Sequence, residues 1–192
     1  MTYMDAMVHS YSSPVVGLFP DKFDRLIELF GQGVGSGRVE GAGRSTLPFL
    51  SPLEENLRKV QDSISKVSMH LPKGFSNGLN RQFANMMDED AWEQDDEHIG
   101  QPALNVFIQL LLATHTQRRP GIGTNGRGSI TASWSVGKNR LVVECLPSEK
   151  VSMVLSREME NGDIERAAFG AVHPRRAREI LAPFNPGVWF DG

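Results

Sequence analysis

Arg175, Arg176 and Arg178 stand together in the segment His173-Pro174-Arg175-Arg176-Ala177-Arg178, and Arg118-Arg119 form a second basic pair. Guanidinium forks match phosphate and carboxylate oxygens two at a time, so these five side chains are the candidates for contact with nucleic acid or an acidic protein surface. The opposite charge collects between Asp88 and His98, where Asp88, Glu89, Asp90, Glu93, Asp95, Asp96 and Glu97 occur without an intervening Lys or Arg. Their oxygens suit a hard divalent cation, as in a metal-dependent hydrolase. The spacing lacks an Asp-x-Asp-x-Asp-Gly loop, however, and a solvated acidic loop that docks onto a basic partner is the simpler expectation.

Other reactive residue types are isolated. His9, His70, His98, His115 and His173 form no His-x-x-x-His or His-x-x-Glu-His pair. Cys145 is the single cysteine, so the chain cannot carry an internal disulfide, and its alternation with Leu141 and Val143 predicts a small buried hydrophobe. The run Gly31-Gln32-Gly33-Val34-Gly35-Ser36-Gly37 has the composition of a phosphate loop. It follows a helical pattern instead of a strand and has no Gly-Lys-Ser/Thr ending, so a linker is expected. No catalytic residue, cofactor or metal ligand emerges from these patterns.

The elements that must position these side chains show in the periodicity. Asp21 to Phe30 predicts a short amphipathic helix with Phe23, Leu26, Ile27 and Phe30 on one face, tethered by the glycine-rich run up to Gly43. Ser51-Pro52-Leu53-Glu54 is a capping box with proline at the first helical position. Leu53, Leu57, Val60, Ile64 and Val67 follow at spacings of four and three, an apolar seam that needs a partner, first of all the protein's own core. Leu71 to Gly78 reads as a turn region, Phe83 to Trp92 as a short helix, and Ala103 to about Gln117 as an apolar, central helix.

Beyond Pro120 the period changes to two. Ile130 to Trp134, Arg140 to Leu146, Val151 to Leu155 and Ile164 to Phe169 predict four strands, joined by turns at Gly137-Lys138-Asn139, Pro147-Ser148-Glu149 and Asn161-Gly162. Connections this short allow only an antiparallel meander. A last helix is predicted to open at Pro174, carrying Ala177, Ile180 and Leu181. The expected fold is therefore α+β: a four-stranded antiparallel meander packed against helices in residues 46–192, preceded by a flexible segment, 1–45, with one helix.

Leu71-Pro72-x-Gly74-Phe75, the apolar helix near 103–113, Gly128-Ser129-Ile130-x-x-x-Trp134 and Leu141-Val142-Val143-Glu144 together form a pattern. It resembles small uncharacterised bacterial proteins with a Leu-Pro-x-Gly-Trp turn, whose genes lie near toxin–antitoxin or mobile-element cassettes. The resemblance covers residues 70–170 at most, with Phe75 in place of the tryptophan and Ser76-Asn77-Gly78 in place of an Asp-Gly. It implies a bacterial accessory setting and assigns no catalytic residue.

Charge and composition narrow the function classes. Residues 1–100 carry 9 basic and 15 acidic side chains, and residues 101–192 carry 11 and 8. The second half is thus mildly basic, well short of the footprint of a dedicated nucleic-acid binder. No segment has the length of a membrane span or the layout of an export signal, so a cytoplasmic protein without membrane contact is expected. The leading expectation is a non-enzymatic, antitoxin-like or defence-associated accessory protein. It would bind a protein partner through Phe23, Leu26, Ile27 and Phe30, with nucleic-acid association through the arginines as the alternative.

Overall fold

A computed structural model of the chain describes residues 51–88, 92 and 96–192. All of them belong to the second of two units, Ser45–Gly192, so the predicted helix with Phe23, Leu26, Ile27 and Phe30 lies outside the described residues.

The helix α1, Pro52–Val67, starts at the capping box. The Ser51 hydroxyl accepts from the Glu54 N–H at 3.2 Å, and the Glu54 carboxylate accepts from the Ser51 N–H at 2.8 Å. Two N–H groups left over by the first turn are satisfied in this way. Its seam turns inward: Leu53, Val60 and Ile64 are buried in the core with Leu57 packed against it. The apolar stripe is thereby satisfied within the fold, and the Asn56 amide ties it to the Ile99 carbonyl at 3.0 Å.

The next helix differs from expectation. α2 spans Phe75–Met86, eight residues earlier than the predicted Phe83 start. Gly74, at φ +77°, makes the tight entry that glycine alone takes without strain. Gly78 lies inside the helix because the Arg119 side chain occupies the space where a Cβ would stand. The helix α3, Gln101–Thr114, is the apolar centre, burying Leu104, Val106, Phe107, Leu110 and Leu111. Phe83 of α2 meets Phe107 edge to face at 5.9 Å.

The sheet has five strands, not four: β1 Gly121–Gly123, β2 Ile130–Val136, β3 Asn139–Cys145, β4 Val151–Glu158 and β5 Ile164–Val172. They are antiparallel and ordered as in the chain, the expected meander with one strand added at the β2 edge. One face carries Ile130, Ala132, Trp134, Leu141, Val143, Cys145, Val151, Met153 and Leu155, all buried in the core. After the sheet, a 3₁₀ turn at Pro174–Arg176 runs into α4, Ala177–Ile180. The predicted last helix is therefore broken into short pieces, and Pro183 and Pro186 keep it so. A final turn, α5 at Gly187–Phe190, drives Trp189 and Phe190 into the core, where Phe190 meets Trp134 at 5.2 Å. Among the described residues, no helix is long and apolar enough to cross a membrane.

Candidate functional site

Two of the five arginines converge on Asp191. Arg178 donates to the Thr114 carbonyl at the end of α3 and lies 3.4 Å from a carboxylate oxygen of Asp191. Arg118 donates to the Asp191 carbonyl at 3.1 Å, while the backbone N–H groups of Gln117 and Arg118 donate to the Phe190 carbonyl at 2.7 and 3.2 Å. The Arg118 carbonyl in turn accepts from Thr116 Oγ1 at 2.7 Å and from Trp134 Nε1 at 2.8 Å. Cationic and N–H groups at the end of α3 thus clamp residues 190 and 191.

The other arginines are dispersed. Arg119 reaches back across α2 at Gly78. Arg176 pairs with Glu179 at 3.2 Å; the hydrogen bond between them lowers the Glu179 pKa and raises that of Arg176. Arg175 is exposed, and its backbone N–H is capped by His173 Nδ1 at 3.3 Å. Of the five candidates, Arg118 and Arg178 meet at Asp191, Arg119 lies against Gly78 and Arg176 pairs with Glu179.

Of the acidic segment, Asp88, Asp96 and Glu97 are described. The Asp96 carboxylate packs on Gly126, and the Glu97 N–H donates to the Gly126 carbonyl at 2.8 Å, pairing the segment with the 124–128 loop. Among the described residues, no three His, Cys, Asp or Glu side chains stand where they would hold a metal. Cys145 is fully buried, and burial pushes its thiol pKa well above the ordinary value, so it stays protonated.

The arrangement that sequence patterns did not reveal lies on the other face of the sheet. Strand register aligns Gly121, Ser133, Val142, Val154 and Ala168 in one row across all five strands. On one side of it runs a row of Ser135, Arg140, Ser156 and Arg166; on the other, Gly123, Thr131, Glu144 and Ser152. Val142 and Val154 are half-buried cross-strand neighbours and lie outside the core. Glu144 is held by Asn125 Nδ2 at 2.8 Å and Ser129 Oγ at 3.3 Å. The outcome is a sheet face with a central row of Gly, Ser, Val and Ala, arginines in one flanking row and Glu144 in the other, in which Thr131 and Ser156 are buried. Only the pairing register shows it, because the five residues of the central row are up to 47 positions apart in the chain.

No protein-family model, curated protein or solved structure matches this chain.

Proposed function

We propose that this is a non-enzymatic accessory protein that works by binding a protein partner, with the outer face of the sheet as its main contact surface. The observation that carries the reading is the row Gly121-Ser133-Val142-Val154-Ala168, bordered by Arg140 on one side and Glu144 on the other. Small side chains let another backbone come close, and a central apolar pair with charged borders is the layout of a protein contact, with an apolar centre and a polar rim. Opposite charges on the two borders set the direction in which a partner lies. The partner of best fit is a helix or extended segment with acidic residues along one side and basic residues along the other.

Phe23, Leu26, Ile27 and Phe30 would add a second, tethered anchor to the same partner, a gain of effective concentration without new contacts on the sheet. A toxin or defence component is the first partner to test, given the resemblance of residues 70–170 to proteins of such gene settings. The test is capture of partners by the tagged full chain from its native host, compared with Val154→Lys and with Phe23→Ala/Phe30→Ala. A stoichiometric protein retained by the wild type and lost with Val154→Lys, at unchanged circular dichroism, is the expected result. Retention of the same partner by the well-folded Val154→Lys protein would remove the sheet face from the reading.

A further inference from the structure

The two edges of the sheet are built differently. β1 is three residues long and follows Pro120, both of which blunt an edge against further pairing. β5 is nine residues long, contains no proline, and among the described residues pairs only with β4. The hairpin bond from the Met159 N–H to the Asp163 carbonyl fixes which residues point where. Glu165, Ala167 and Phe169 exchange hydrogen bonds with β4, which turns the N–H and C=O of Ile164 and Ala168 to the outer edge.

Two further features of this strand have no explanation among the described residues. Ile164 is 43% exposed and stands opposite Glu158 at the β4–β5 hairpin. Gly170 sits in the strand although its φ is not positive and a Cβ there would meet nothing within 4 Å. A glycine in a strand costs stability and marks a bulge, a bend or the close approach of another chain. The positive φ of the neighbouring bulge belongs to Ala171, so the bulge does not require glycine at 170.

We propose that β5 pairs antiparallel with β5 of a second copy of this chain, about a two-fold axis through Ala167, joining the two sheets into one. In this register Ile164 of each copy faces Gly170 of the other. The exposed isoleucine then covers the space that Gly170 leaves open. Arg166 faces Ala168 of the second copy. Ala167 faces its own counterpart with nothing bulky between. The contact is isologous and closes as a dimer.

The experiment uses the full chain. Light scattering should give twice the 21.2 kDa chain mass at micromolar concentration. Gly170→Val should leave the melting temperature unchanged or raise it at a dilution where both proteins are monomeric, because the site is open and valine favours strands, while it weakens the dimer about tenfold or more by overpacking against Ile164 of the second copy. Ala167→Cys should form an intermolecular disulfide under mild oxidation, since non-hydrogen-bonded neighbours across an antiparallel pair have suitable spacing. Cys145 is buried and does not compete. A monomer at all concentrations overturns the proposal, as does a dimer that survives in the folded Gly170→Val protein or an Ala167→Cys protein that stays uncrosslinked. Should Gly170→Val fail to fold, the Ala167→Cys result decides by itself.

Discussion

Trp134 Nε1 donates to the Arg118 carbonyl at 2.8 Å, so the second strand holds the loop that leaves the central helix. The same carbonyl accepts from Thr116, and the ring above it packs on Phe190. Trp134→Phe keeps most of the apolar surface and removes the donor. It should cost about 1–2 kcal/mol of stability, measured by urea unfolding, because a buried hydrogen bond is lost while its acceptor keeps a second donor. A loss below the error of the measurement would show that the indole N–H does not hold the loop.

Arg178 and Asp191 invite a comparison between partners. The Arg178–Asp191 ion pair is long at 3.4 Å, with both side chains substantially exposed, and such pairs contribute little. Arg178 also satisfies the Thr114 carbonyl at the end of α3. Arg178→Ala is therefore expected to lower stability by about 1–2 kcal/mol and Asp191→Asn by less than about 0.5 kcal/mol. Equal losses would place the energy in the ion pair instead of the helix end.

Ala171 adopts φ +55° beside the β-bulge of β5. A side chain in this left-handed region costs about 1 kcal/mol, and glycine does not have that cost. Ala171→Gly should raise the melting temperature by a small amount, the net of relieved strain and a floppier unfolded chain. A marked loss would mean that the alanine methyl makes a contact of greater value than the strain.

Burial raises the Cys145 pKa above its ordinary value of 9.0, which determines the alkaline behaviour. The folded state keeps the thiol protonated where the unfolded chain ionises, so this contribution is complete below pH 9 and declines as pH rises above it. Cys145→Ala should flatten that alkaline decline while lowering stability at neutral pH by a small core cavity. In the native protein the thiol should resist labelling and react only at the rate of unfolding. Fast labelling under native conditions would contradict its burial.

Much of the fold was legible because local chemistry and final packing agree. Ser51-Pro52-Leu53-Glu54 opens a helix in the sequence and in space, and the alternation around Ile130, Val143 and Met153 sets the inner face of the sheet. Where they disagree, the sequence misled. Gly121-Ile122-Gly123 has too much glycine to read as a strand, yet pairing with β2 makes it one. Gly74, Asn77 and Gly78 look like a turn, but Arg119, a residue from beyond α3, fills the space at Gly78 and the helix runs through.

The candidate site was less legible for the same reason. Arg118 and Arg178 read as members of a basic group because their contacts with residue 191 are 73 and 13 positions distant. The row from Gly121 to Ala168 exists only through strand register.

The burial of Trp189 and Phe190 bears on how the protein is made. A ribosome delivers the chain from its N-terminal end, so the three long helices and five strands of the described residues are synthesised before the two rings that complete their core. Until residue 190 emerges, the face of Trp134 that meets Phe190 is bare, and the two N–H groups after α3 lack their acceptor. The inner face of the sheet therefore stays incomplete until Phe190 is in place. A chain interrupted before Trp189 would hand the cell a substrate for chaperones and proteases in place of a slightly weakened protein.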